Sequence, residues 1–161
     1  MNKVVWKSEK MDWCTPDSVF DPLDKEFGFN LDAAATTENS KCGKCITPEE
    51  DALTVCWKTR SRGGSVWLNP PYGRGLGDWF QKASEESEKG CTVVMLLPAR
   101  TDTKYWHEYV FKNELGELKD GVECRFLKGR IKFIGAQNGA PFPSAIIIFR
   151  RKEVKSCQKG H

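Results

Sequence analysis

Short apolar runs alternate with longer amphipathic stretches along the chain, and the pattern predicts its elements. Val19, Phe20, Leu23 and Phe27 fall at helical spacing. They predict a helix with Thr15 as N-cap, Pro16 at its first position and Asp17 next, ended by Gly28. Residues 29–34 read as a short strand that runs into small side chains. Residues 36–64 are irregular and predict a long, partly helical connection. Residues 65–68 are a short buried strand that stops at Asn69-Pro70-Pro71-Tyr72-Gly73. A helix follows from about Leu76 to Lys89, with Trp79, Phe80 and Ala83 on one face and Gly90 ending it. Residues 92–97 are uninterruptedly apolar, as expected of a central parallel strand. Thr101-Asp102-Thr103 then caps a helix carrying Tyr105, Trp106, Tyr109 and Val110. Residues 122–127, 130–134 and 145–149 are three β-rich pieces separated by Gly and Pro.

Strand, loop and helix repeated twice, then a β-rich end, predict an α/β protein. Its sheet is expected to be twisted and mostly parallel, with an antiparallel strand near the C-terminal end. In such sheets ligands sit at the carboxyl ends of the parallel strands. That singles out three places: Asp32-Ala33-Ala34, Asn69 to Tyr72, and Pro98 to Asp102. With 161 residues the chain reads as one domain, 1–161, with flexible tails at 1–11 and 151–161 and no separate target-recognition domain. A 39% hydrophobic share excludes a fully disordered chain. No apolar run approaches the ~18 residues of a membrane span. The start Met1 to Lys7 lacks a secretory h-region, so a cytoplasmic, non-membrane protein is expected. The net charge of +3 permits a nucleic-acid partner without requiring one. Seven cysteines at irregular spacings read as reduced thiols. Cys42 and Cys45 have zinc-knuckle spacing, but a second such pair is missing, and no metal is expected.

The informative chemistry is in Asn69-Pro70-Pro71-Tyr72. Two prolines make a stiff corner whose carbonyls lack ladder partners. The Asn69 side-chain oxygen and the Pro70 carbonyl, both acceptors, can then face one small volume beside the Tyr72 ring. Two converging acceptors and an aromatic plane suit a planar group bearing an NH₂, such as adenine. Its amine is a poor nucleophile because the lone pair is delocalised into the ring. Acceptors on its hydrogens draw the nitrogen toward sp³ and stabilise charge only as it develops. The bland alternative is a Pro-Pro-Tyr turn or a polyproline ligand, but this segment lies between an apolar strand and a helix.

Five segments together carry a family resemblance: residues 67–73, Leu31-Asp32-Ala33-Ala34, residues 97–103, residues 129–133 and residues 140–145. From about Trp13 to Phe149 the chain resembles the phage-type Dam DNA adenine-N6 methyltransferases. The resemblance implies a Rossmann-like methyltransferase fold using S-adenosyl-L-methionine and acting on double-stranded DNA, as a monomer or homodimer. It makes Asn69, Pro70, Pro71 and Tyr72 the catalytic loop. Thr15 and Pro16 would lie beside the methionine part of the cofactor. Asp32, Ala33 and Ala34 would form the first-strand cofactor motif, with alanines where most such enzymes have glycine. Asp51 would hold the adenine or the ribose of the cofactor. Arg100, Asp102, Arg130 and Lys132 are the candidates for DNA contact. Arg130 and Lys132 would point the same way from one strand. Phe133 would project to the opposite face, as core packing or a second wall for the target base.

The expected reaction is methyl transfer to the N6 amine of a flipped adenine in DNA. Two alternatives stay open. The first is the same chemistry on cytosine N4, RNA adenine or protein glutamine, against which Asn before Pro-Pro leans by resemblance. The second is an inactive nucleic-acid-binding or anti-restriction module. Target reading is left to short loops at 36–64, 113–121 and 135–143, or to a second subunit.

Overall fold

The computed structural model describes residues 13–153. Five strands form one sheet: β1 (Phe29–Asp32), β2 (Ser65–Leu68), β3 (Val93–Pro98), β4 (Val122–Phe126) and β5 (Ser144–Phe149). Their order across the sheet is β1-β2-β3-β5-β4. The pairs β1–β2 and β2–β3 are parallel, whereas β5 runs antiparallel to both β3 and β4. Four strands therefore share one direction and β5 alone opposes them, as the sequence pattern predicts. Side chains of β3 and β5 are buried at every position, which is why both read as unbroken apolar runs.

The described residues also form four helices, α1 (Asp17–Phe27), α2 (Trp57–Arg60), α3 (Leu76–Glu88) and α4 (Lys104–Tyr109), of which α3 packs on β3 and β5 and α4 packs on α3. Gly28 ends α1 in the left-handed conformation at φ 61°, its N–H donating to the Asp24 carbonyl at 2.7 Å. The predicted cap is corrected: Pro16, not Thr15, occupies the N-cap of α1, and no side chain caps that helix. Thr15 is instead buried, and its hydroxyl is engaged elsewhere. Thr103 is the N-cap of α4, also without a side-chain cap bond. The 36–64 connection holds α2 and one 3₁₀ turn, Pro48–Glu50.

Residues 130–134 are not a ladder strand, which corrects the third predicted β piece. Ile131 and Phe133 are buried while Arg130, Lys132 and Ile134 are exposed, so the period-2 pattern survives. Only one isolated bridge forms there, between Ile134 and Cys14. The apolar alternation is satisfied by packing under the loop rather than by pairing with β4. Of the expected C-terminal tail, Arg151 and Lys152 are tied back by backbone N–H donation to Thr92 Oγ1 (3.3 Å) and the Ser87 carbonyl (3.0 Å). The expected tails at 1–11 and beyond Glu153 lie outside the described residues.

A buried carboxylate on α3 is ion-paired within its own helix and hydrogen-bonded to the start of α2. The Glu86 carboxylate is fully buried and accepts from Lys82 Nζ at 2.6 Å, Lys89 Nζ at 3.1 Å and the Trp57 backbone N–H at 3.1 Å. Burial raises its pKa, but the bonds from Lys82 and Lys89 outweigh burial and hold it below the ordinary 4.5. Its stabilisation is therefore complete above pH 4.5 and lost as pH falls through the lower folded-state value. Glu86→Ala is expected to destabilise the chain by about 3–5 kcal/mol in denaturant titrations, because Lys82 is left buried without its partner. Glu86→Gln is expected to flatten the acid limb of the stability-versus-pH curve.

Candidate active site

β2 stops at Leu68 because Pro70 and Pro71 have no N–H to continue a ladder. Asn69 at the corner is held from both ends of its amide. Nδ2 donates to the Trp13 carbonyl at 2.6 Å and to Thr15 Oγ1 at 3.1 Å. Oδ1 accepts from the Tyr72 hydroxyl at 2.8 Å. The Trp13 carbonyl can only accept, so the nitrogen faces it and the oxygen faces Tyr72. The Tyr72 hydroxyl also reaches the Leu96 carbonyl of β3 at 3.3 Å. Burial pushes the Tyr72 pKa well above its ordinary value, so it remains a neutral donor. No described residue donates to the Pro70 carbonyl.

The Tyr72 ring is 8% exposed. Trp13 lies on it nearly parallel, with centroids 6.4 Å apart and planes at 27°. Phe142 meets it edge-on at 5.6 Å. Trp13 thus lies against one face of the ring that is expected beside the target adenine. Phe133 is buried 5.0 Å from the Trp13 centroid and packs there, the core role its alternation predicts.

A cavity of about 340 Å³ opens beside this corner, within the range of small-molecule sites. It runs from the end of β1 (Asp32 to Thr36), across the Pro48–Glu50 turn, to Asn69, Pro70 and Pro71. Thr15 and Asp51 also line it, whereas Pro16 does not. The Asp32 carboxylate is buried; Oδ1 accepts from Ala34 N–H at 3.3 Å and Oδ2 from Lys41 N–H at 3.0 Å. Burial raises its pKa against the lowering effect of those two bonds. Asp51 is exposed and holds a left-handed backbone, φ 56°, that a non-glycine residue rarely adopts. One of its oxygens accepts from Leu53 N–H at 3.2 Å. Cys42 sits close by, its thiol pushed up to about 12 by burial, with Asp32 adding to the shift. Among the described residues no three His, Cys, Asp or Glu side chains are grouped to hold a metal ion.

On the outer side, the Arg100 guanidinium lies 5.9 Å from the Phe142 centroid, one ring away from Tyr72. Asp102 is exposed on the turn before α4. Arg130 and Lys132 are exposed and form no ion pair among the described residues. From Cys124 to Lys152 the chain carries no Asp or Glu at all.

The family model for DNA N-6-adenine-methyltransferase (Dam) matches residues 3–156. The chain belongs to the Dam family. It is 34% identical over 164 residues to the DNA N-6-adenine-methyltransferase of Escherichia phage T1, covering 92% of this chain and 66% of that protein. It is 33% identical over 153 residues to the enzyme of the same name from Haemophilus phage HP1, covering 91% of this chain and 82% of that protein. A shorter match, 38% over 63 residues, is to the putative methyltransferase YfdM of Escherichia coli K12, covering 37% of this chain and 69% of that one.

In this Dam-family chain the structure brings Asn69, Pro70, Pro71, Thr15, Asp32, Ala33, Ala34 and Asp51 to one cavity. Tyr72 sits behind it, and the DNA-side candidates sit outside it. Sequence reasoning missed Trp13 as a site residue. Its signal was present: a large aromatic two positions before Thr15 in a polar stretch. It also missed Ile46 and Thr47, whose lining role depends on 44–46 pairing back onto Asp32, a contact that local pattern does not carry. Tyr72→Phe keeps the ring but removes the hydroxyl that fixes Asn69. The expected result is a fold weakened by about 1 kcal/mol. Turnover should drop about tenfold, the effect of a ~1.4 kcal/mol interaction, with KM for DNA little changed. Unchanged turnover would leave Tyr72 a packing role only.

Proposed function

We propose that this chain transfers a methyl group from S-adenosylmethionine to the N6 amine of adenine in DNA, on a Rossmann-like methyltransferase core. Family membership supports the reaction class. The observation that carries the mechanism is Asn69, locked in one orientation beside a Pro70 carbonyl that accepts from no described residue, at the mouth of the cavity.

The cavity's donors and acceptors fit the cofactor. Asp32 offers a buried carboxylate, Asp51 a second one at the rim, and Ala33 and Ala34 leave room for close backbone approach. Asp32 would take the cationic amino-acid end, and Asp51 the ribose hydroxyls or the adenine. The chemistry supplied there is an electrophilic methyl carbon. The chain's own part is to prepare the amine. Asn69 Oδ1 keeps a second lone pair beyond the one that Tyr72 uses. With the Pro70 carbonyl it accepts the two amine hydrogens and stabilises the charge that develops on nitrogen. Pro71 keeps the corner stiff. For an adenine to lie on Tyr72, the Trp13 indole has to move aside or share the slot.

Arg100, Arg130 and Lys132 would meet phosphate, and Arg130 and Lys132 lie in a stretch of chain without Asp or Glu. Within the described residues, loops are the parts available for target reading.

The test gives purified protein labelled S-adenosylmethionine and unmethylated DNA, then analyses the nucleosides by mass spectrometry. N6-methyldeoxyadenosine is the expected product; methylated cytosine, or methyl transfer only to RNA or protein, would overturn the acceptor assignment. Asn69→Ala is expected to abolish nearly all methylation while cofactor binding, measured by calorimetry, is mostly kept. Raising salt from 50 to 200 mM should lower kcat/KM steeply, by about tenfold or more if a few phosphates are neutralised.

A further inference from the structure

Three large apolar side chains are conspicuously exposed among the described residues: Leu115, Phe126 and Ile134. Only Ile134 is joined to the site. Its backbone N–H donates to the Cys14 carbonyl at 3.0 Å. Cys14 lies between Trp13 and Thr15, the two residues that hold Asn69. The Ile134 side chain is 56% exposed although its neighbour Phe133 is 2% exposed against Trp13. The alternation that buries Ile131 and Phe133 turns Ile134 outward. It sits in a tight turn over residues 133–136, with Gly135 at φ 85° and Ala136 N–H donating to the Phe133 carbonyl at 3.0 Å. The result is a rigid apolar tip anchored from behind by the aromatic group of the site. Exposed Arg130 and Lys132 precede it in an acid-free stretch.

Leaving such a side chain in water is unfavourable, and two exposed cations just before it are poor company for an apolar protein partner. A nucleic-acid duplex satisfies both features. Phosphates meet the cations, and the stacked bases offer an apolar slot. Extruding a base costs a few kcal/mol of lost stacking and pairing. A branched aliphatic side chain that enters the vacated step recovers part of that cost.

We infer that Ile134 is the wedge of this enzyme, inserting into the duplex where the target adenine leaves it, with Arg130 and Lys132 on the flanking phosphates. The inference rests on the DNA-adenine reading above. It assigns Ile134 to the extrusion step, separate from cofactor binding and from the transfer at Asn69.

The test needs the target sequence, mapped first from the adenines that wild-type protein methylates in plasmid DNA. Two duplexes are then compared: one fully paired, and one with an abasic site opposite the target adenine, where extrusion is already cheap. Ile134→Ala is expected to lose about tenfold in kcat/KM on the paired duplex and less than about threefold on the abasic one, because the wedge matters only where pairing must be broken. Ile134→Leu is expected to restore most of the activity on paired DNA, and cofactor affinity should be the same in all three proteins. An equal loss on both duplexes, or no loss on either, overturns the wedge while leaving the methyltransferase reading intact. Wild-type protein that methylates no adenine in plasmid DNA overturns the reading beneath it.

Discussion

The Asn69 amide is the point on which the site depends. Its nitrogen holds Trp13 and Thr15, at the entry to α1; its oxygen holds Tyr72, whose hydroxyl also reaches Leu96 on β3. Three separate stretches of chain thus meet at one side chain. Each bond is worth only about 1 kcal/mol net, so the amide is not a main support of the fold. What it provides is orientation. With the nitrogen committed to two acceptors, the oxygen can turn to nothing but Tyr72 and whatever enters the cavity. The prolines make this possible, because a corner without N–H groups cannot drift into the ladder of β2 or into the start of α3.

The fold was largely legible because its signals are local. The β2 and β3 runs, the helix face of α3 and the Gly28 stop each follow from spacing or from backbone conformation. Two local rules misled. Thr-Pro-Asp looks like a capped helix start, but Thr15 is drawn to Asn69, fifty-four residues away in sequence, and the helix begins without a side-chain cap. Residues 130–134 alternate like a strand, yet they pack under a loop instead of pairing with β4. Both cases have one cause: a tertiary partner outweighed a local preference worth about 1 kcal/mol.

The site was legible in its residues and less so in its geometry. The Asn69 corner and Asp32 stand out by residue type and by position after a strand, whereas Asp51 is implied by the family resemblance. The Trp13 cover on Tyr72 was not, since nothing in the spacing links residue 13 to residue 72. The charge pattern was also read too coarsely. A net charge of +3 conceals an acid-free stretch from Cys124 to Lys152, and the distribution informs about a partner where the sum does not.

The Trp13–Tyr72 pair also constrains how extrusion can be driven. An aromatic wall standing open would gain about 1–3 kcal/mol from a stacked base. With an indole already on Tyr72, an adenine arriving there exchanges one stacked pair for another, and the net gain is small. Stacking inside the pocket therefore supplies little of the few kcal/mol that unstacking from the duplex costs. The remainder has to come from contacts made outside the pocket. Exposed Arg130 and Lys132 and the apolar tip at Ile134 lie there, joined to Trp13 through Cys14 and Phe133. That linkage couples the outer surface to the inner slot. On the proposed reading, a duplex docked on the turn would act on the same packed group that covers Tyr72, so docking and opening of the slot would not be separate events.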